Sequence, residues 1–189
     1  MAMDIDFLTL PEVREIYRTR MEHDFPGNEL KELAMIEKVF REGRYLCYGA
    51  REGNDILAYA FFVLAEELYM LDYFAVKKER RGSGIGSRFL KELNSRCFRE
   101  AACVLVEVDD PSFAENGKEK ATRERRLAFY LGNGLRDTGA RARTFGADFL
   151  ILEFPKGEPH SRAEAGEFYS RIYRSLLPER IYEQMVMIS

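Results

Sequence analysis

The residues able to do chemistry in this chain fall at three places. Lys77-Lys-Glu-Arg-Arg81, five charged residues after the apolar run Leu71-Asp-Tyr-Phe-Ala-Val76, lead into Gly82-Ser-Gly-Ile-Gly86. A strand, a basic residue and a glycine turn at the start of a helix make an anion site. Unpaired backbone N–H groups point outward there, the helix dipole favours negative charge, and glycine lets a phosphate approach the main chain. Further on, Phe129-Tyr130-Leu-Gly-Asn-Gly134-Leu135 brings a phenol to the end of a second helix. Two carboxylates, Asp72 and Glu107, interrupt apolar strands, where a charge is costly unless paired or hydrated.

The elements that must position these groups are legible from spacing. Residues 3–8 predict a short strand, and Thr9-Leu-Pro-Glu12 a capping box opening a helix with Val13, Ile16, Tyr17 and Met21 inward. Phe25-Pro-Gly27 breaks the chain; Asn28 is expected to cap a helix carrying Leu33, Ile36 and Phe40, ended by Gly43. Strands follow at 45–50, 56–64 and 69–76, turning at Glu52-Gly-Asn-Asp55 and Glu66-Glu67. Ile85, Phe89, Leu93 and Cys97, with Leu90 beside them, mark the apolar stripe of the glycine-loop helix. A buried strand at 103–108, a polar loop at 109–120, an arginine-bearing helix, an antiparallel pair at 136–143 and 147–154, and a helix with Phe168, Ile172 and Leu176 complete the chain before Pro178 and an apolar tail. The pattern reads as one α/β domain, residues 1–189, with hairpin-linked strands early and a βαβ unit in the middle.

Composition narrows the function classes. A 189-residue chain with 46% hydrophobic and 32% charged residues can bury a real core and reads as soluble. Its net charge of −3 gives no electrostatic case for nucleic acid. Cys47, Cys97 and Cys103 are odd in number and set among apolar residues, as buried thiols of a reducing compartment are. His23 and His160 show no ligand spacing, so no metal is expected. No segment is long and apolar enough to span a membrane, and the acidic N-terminus is unlike a signal peptide, so the cytoplasm is the expected compartment.

Three phosphate-binding designs compete for the glycine turn. A P-loop requires four residues between its glycine and a Gly-Lys-Ser/Thr triplet, which is missing here. Gly82-x-Gly84-x-x-Ser87, with Glu107 about 20 residues beyond Gly86, nearly matches a dinucleotide fingerprint. Five charged residues stand between strand and first glycine, however, and the third glycine is Ser87, so that design fits poorly. The third fits: Arg81-Gly-Ser-Gly-Ile-Gly86, preceded by Phe74-Ala-Val76, resembles the Arg/Gln-x-x-Gly-x-Gly/Ala loop of the GCN5-related N-acetyltransferase (GNAT) family, and Phe129-Tyr130 with Gly134-Leu135 has the family's second motif at matching distance. The segment from Phe25-Pro through Glu29 to Gly43-Arg-Tyr45 is also similar to a bacterial branch of these acetyltransferases.

The resemblance implies a GNAT-like α/β fold: a mixed, mainly antiparallel central sheet flanked by helices, with a splayed pair of parallel strands. Residues 1–66 would supply N-terminal strands and acceptor-side helices, 67–135 the acetyl-CoA-binding core, and 136–189 the closing strands and C-terminal helix. It implies direct acetyl transfer from acetyl-CoA, as co-substrate, to a primary amine of a small molecule or peptide. Phe74, Ala75 and Val76 would bind pantetheine through the main chain. Arg81, Gly82, Ser83, Gly84, Ile85, Gly86 and Ser87 would cradle the pyrophosphate, and Arg126 is a further candidate unless its helix face is simply solvated. A backbone N–H near Phe74 would polarise the thioester carbonyl. Tyr130 would protonate the leaving thiolate, although its spacing to Leu127 and Leu131 also suits core packing. Met70 stands where some relatives carry a glutamate base; Asp72, expected by alternation to share a face with Met70 and Phe74, and Glu107 are the remaining candidates, each equally able to be satisfied by an arginine.

Glu22, Asp24 and Glu29 lie on the expected acceptor side, and of these Asp24 and Glu29 are the substrate-binding candidates, suiting a cationic amine. Two other readings stay open: a non-catalytic acyl-CoA-binding sensor or regulatory module, and an interaction protein. The last leans on Ile181, Tyr182, Met185, Val186 and Ile188, a tail able to dock a second copy in a homodimer or to pack on its own chain.

Overall fold

The computed structural model describes residues 3–25 and 30–189. The chain divides into two compact units, residues 1–64 with 72–93, and residues 65–71 with 94–189.

In the first unit, β1 (Asp4–Phe7) pairs antiparallel with β2 (Tyr45–Glu52), and β2 with β3 (Asp55–Ala65), which adjoins β4 (Leu68–Val76). Leu57 to Val63 are buried without interruption, as in a strand covered on both faces, with Tyr59, Phe61 and Phe62 the bulk of this core. Helix α1 (Leu10–Ile16) starts where Glu12 reaches back to the Thr9 N–H, 2.7 Å away. It continues through a π turn (Tyr17–Met21) into α2 (Glu22–Asp24), which seats Met21 fully in the core. Helix α3 (Leu33–Arg41) is tied to α1 by a two-pronged Arg14–Glu37 pair, at 2.6 and 3.0 Å. Its N-cap is Glu32; the expected cap Asn28 and the acceptor-side Glu29 lie outside the described residues. Burial along β4 is not the simple alternation expected: Met70 and Leu71 are both buried, and half-buried positions resume at Asp72, Phe74 and Val76, so Met70 does not share their exposure. Helix α4 (Ile85–Glu92) ends sooner than its apolar stripe implies. A strict four-residue spacing drifts around a helix of 3.6 residues per turn, and the drift is absorbed where Leu93–Cys97 widens into a π turn.

In the second unit, Leu68 to Leu71 of β4 pair in parallel with β5 (Cys103–Asp109), from Leu68↔Cys103 to Leu71↔Val106. That register ends while β4 has five residues still to run and β5 three. β5 pairs antiparallel with β7 (Ala147–Glu153), and β7 with β6 (Arg136–Thr144). Helix α5 (Gly117–Gly132) is capped by Asn116, whose Oδ1 accepts the Glu119 N–H at 2.9 Å. Helix α6 (Arg162–Leu176) opens on a Ser161–Glu164 capping box. It buries the expected Ile172 together with Ala165 and Tyr169, while Phe168 and Leu176 are only half-buried; Tyr169 lies inside because its hydroxyl finds partners there. The apolar tail is an element in its own right: α7 (Glu179–Met185) and β8 (Val186–Ile188), which pairs antiparallel with β6 and buries Tyr182 and Val186. Gly166 makes room for this strand, since a Cβ there would lie 3.1 Å from Ile188 Cγ2.

The α/β class read from sequence holds, with mostly antiparallel strands, one parallel pair and flanking helices. Among the described residues no helix is long and apolar enough to cross a membrane.

Candidate functional site

The glycine loop is built from the end of β4 upward. The Lys77 N–H bonds the Leu57 carbonyl at 2.7 Å, closing the strand, and a 3-10 turn (Lys78–Arg80) reverses the chain. Ser83 Oγ donates to the Arg80 carbonyl at 2.5 Å. Gly82 and Gly84 then take φ of +77° and +81°, conformations that cost L-residues with a Cβ about 1–2 kcal/mol each. Gly84 is the N-cap of α4 and has no side chain to cap it; the first helical bond runs from the Arg88 N–H to its carbonyl, leaving the N–H groups of Ile85, Gly86 and Ser87 ahead of the ladder. A Cβ at Gly82 or Gly84 would meet nothing within 4 Å, so there is open space beside both glycines. The helix is anchored by buried Phe89, Leu90 and Leu93, with Phe89 stacked on Phe74, ring centroids 5.8 Å apart. Ala75 is buried, and Phe74 and Val76 are half-buried.

Arg81 is folded back onto this loop. Its Nε donates to the Val76 carbonyl at 3.0 Å, and its Nη2 meets Asp24 Oδ1 at 2.5 Å. Asp24 also accepts from the buried Tyr59 hydroxyl at 2.9 Å, and burial pushes that phenol's pKa upward. Arg20 lies over the Tyr59 ring and donates to the Ile56 carbonyl. Asp24, expected to face an acceptor, is thereby joined to the residue expected to meet pyrophosphate.

Asp72 carries two partners. Its Oδ1 lies 2.5 Å from Lys31 Nζ, and its Oδ2 accepts the Tyr45 hydroxyl. Tyr45 is buried, and desolvation together with the Asp72 charge holds its phenol far above the ordinary tyrosine range. Neither partner is the arginine that the sequence left as an alternative.

The second unit holds the other candidates. Tyr130, half-buried near the end of α5, packs its ring edge-on against Phe129, and its carbonyl accepts the N–H groups of Asn133 and Leu135. Burial pushes its phenol up; Arg126 pulls it down and Asp109 up again. It therefore keeps its proton at neutral pH, as a proton donor must. Arg126 pairs with Asp109 at 3.0 Å, and Arg123 with Glu119 and the Asp110 carbonyl, so these arginines are neither simply solvated nor unengaged. Glu107 accepts hydroxyls from Tyr169 and, at 2.7 Å, from Tyr173; Tyr169 is bonded in turn to Thr144 at 2.6 Å. Burial and the Glu107 charge raise both phenols well above their usual range. Sequence anticipated that Glu107 needs a partner; that tyrosines supply it depends on how α6 lies against β5.

One cluster was not foreseen. A sulfur of Cys103, a carboxylate oxygen of Glu153 and a ring nitrogen of His160 all lie within 4.8 Å of one another. These donors come from β5, β7 and the segment after it, so no local spacing could announce them. Glu153 is already held by His160 Nδ1 at 2.7 Å and approached by Arg136 at 3.4 Å. Burial pushes the Cys103 thiol up to about 12, and Cys47 higher still, so neither is a ready nucleophile. Cys97 is only half-buried, unlike the other two.

The fold recurs among solved proteins. The sequence model of the Acetyltransferase (GNAT) family matches residues 10–115, more than half of the chain's 189. A comparison with curated proteins finds no significant match. Among solved structures, the ribosomal-protein-S18-alanine N-acetyltransferase of Escherichia coli is 21% identical, with 84% of this chain and 99% of that one covered and a TM-score of 0.58. A Bacillus subtilis acetyltransferase in complex with CoA is 15% identical, covering 81% and 98%, with a TM-score of 0.57. A dodecameric spermidine N-acetyltransferase from Vibrio cholerae is 8% identical, covering 80% and 92%, with a TM-score of 0.58. Such identities speak to fold alone, but the family match spans α1, β4 and the whole glycine loop, so the chain belongs to the GNAT acetyltransferase family.

Proposed function

We propose that the chain is an acetyl-CoA-dependent N-acetyltransferase acting on a primary amine of a small molecule or peptide. The observation that carries this is the glycine loop. Two left-handed glycines open the start of α4, three N–H groups precede its hydrogen-bond ladder, and the space beside both glycines is clear. That is the chemistry a pyrophosphate requires: fixed donors, a favourable dipole end and no side chain in the way.

In this reading, Gly82 to Ser87 hold the pyrophosphate, and Arg81 turns from Asp24 to the phosphates. Main-chain groups of Phe74, Ala75 and Val76 take pantetheine. A Phe74 N–H placed at the thioester oxygen would stabilise the charge that develops there. Tyr130, protonated at neutral pH, donates to the departing thiolate, and Asp72 or Glu107 takes the ammonium proton. Arg126 is available to phosphate if it leaves Asp109. Asp24 and Glu29 supply the negative side of an acceptor site for a cationic amine. The acetyl-CoA of this proposal comes to the chain by family membership, and the amine by the acidic groups named and the named activities of the neighbours.

Calorimetric titration with acetyl-CoA tests the cofactor assignment. Micromolar binding that is retained in Tyr130→Phe and lost in Gly84→Glu is the expected result. Binding of a dinucleotide in place of acetyl-CoA overturns it.

A further inference from the structure

We propose that Lys31 is an internal acceptor: in the absence of an external amine, the protein acetylates itself there. The inference rests on the acetyl-CoA reading above and names the amine class that the same site accepts, an alkylammonium. Lys31 Nζ lies 2.5 Å from Asp72 Oδ1 and 5.3 Å from the centre of the Tyr73 ring. A primary ammonium between a carboxylate and an aromatic face is what an acceptor site for such amines must provide. The backbone of Lys31 is pinned at both of its polar groups. Its N–H donates to the Tyr73 hydroxyl at 2.9 Å, and its carbonyl accepts from the Tyr17 hydroxyl at 3.2 Å. The side chain is a third exposed, so the head group can leave its seat on a flexible stem.

Asp72 is held as a base should be. Its second oxygen takes the hydroxyl of buried Tyr45, which orients the carboxylate and leaves Oδ1 for the amine. It stands two residues before Phe74 on β4, about 7 Å of strand rise. Self-acetylation requires the thioester polarised at Phe74 to come within the swing of the Lys31 side chain. Asp72 accepts one ammonium proton and passes it to solvent. Lys31 Nζ then attacks the thioester carbonyl; the N–C bond forms, and the C–S bond breaks with its electron pair on sulfur. A second nitrogen proton ends on the thiolate, giving N-acetyl-lysine and free CoA thiol.

The test is peptide mass mapping of the purified full chain over time with acetyl-CoA and no added amine, alongside calorimetric titration with acetyl-CoA. Acetyl at Lys31 should accumulate about tenfold or more faster than at exposed Lys38 and Lys120, as acid–base assistance requires. It should be absent at this position in Lys31→Arg, and slowed by about a hundredfold in Asp72→Asn. Should Asp72→Asn fail to fold, Tyr45→Phe removes only the hydroxyl that orients Asp72 and should slow the same site. If acetyl-CoA binds but Lys31 gains acetyl no faster than Lys38, or as fast in the heat-unfolded chain, the inference is overturned while the cofactor reading stands. If acetyl-CoA does not bind, both fall.

Discussion

Replacing Gly84 by alanine separates the two demands made on the loop, one conformational and one spatial. Its φ of +81° is left-handed, so a Cβ costs roughly 1–2 kcal/mol of folding stability. For a chain of this size that lowers Tm by roughly 2–8 °C. The new methyl meets no protein atom within 4 Å, so there is no clash to add. It projects instead into the space assigned to the pyrophosphate, and displacing a phosphate oxygen from even one N–H donor should cost about tenfold in affinity, or about 1.4 kcal/mol. Gly43 is the matched control. It has φ of +70°, equally open surroundings and a place after α3, away from the loop in sequence. Both variants should melt lower by similar amounts, while only Gly84→Ala loses acetyl-CoA affinity. Scanning calorimetry reads the first effect and titration calorimetry the second. Full affinity in Gly84→Ala, or equal losses in both variants, would refute the placement of the phosphate.

Other consequences follow from single groups. Tyr130→Phe should keep acetyl-CoA affinity and lower turnover by about a hundredfold, the scale of one lost general acid; unchanged turnover in a thiol-release assay would return Tyr130 to a packing role. Glu107→Gln should destabilise the second unit by about 1–3 kcal/mol in denaturant titration, because the Tyr169 and Tyr173 hydroxyls lose a charged acceptor. Tyr45, Tyr59, Tyr130, Tyr169 and Tyr173 all have folded pKa values raised above the unfolded tyrosine value near 10. Their contribution is complete below pH about 10 and is lost as the pH climbs beyond it, since the unfolded chain then gives up phenolic protons first. Alkaline unfolding should therefore begin near pH 10, and a flat stability up to pH 12 would contradict the burial of these phenols.

What could be read from sequence was local. The loop was legible because glycine spacing, the preceding apolar triplet and the helix stripe sit within a few residues of one another. Strand positions followed from turn residues such as Glu52-Gly-Asn-Asp55, which close a hairpin whatever lies elsewhere. What eluded it was set by tertiary packing. Lys31 and Tyr45 lie 41 and 27 residues from Asp72, and neither carries a pattern that marks it as its partner. The π turns at Tyr17–Met21 and Leu93–Cys97 arise where an apolar stripe must stay inward longer than 3.6-residue periodicity allows. The tail's strand β8 depends on the edge that β6 offers, and its three residues are too short for periodicity to show. The cluster of Cys103, Glu153 and His160 exists only once β5 and β7 pair.

Acetyl transfer itself is tested most directly by incubating the protein with acetyl-CoA and a panel of primary amines (a polyamine, an aminoglycoside and a peptide with a free N-terminal alanine), then measuring thiol release together with the mass of each amine. CoA thiol and an N-acetylated amine should appear in equal amounts, with the yield lost in Gly84→Glu. Tight binding of acetyl-CoA without acetylation of any amine would contradict acetyl transfer and leave an acyl-CoA-binding module in its place.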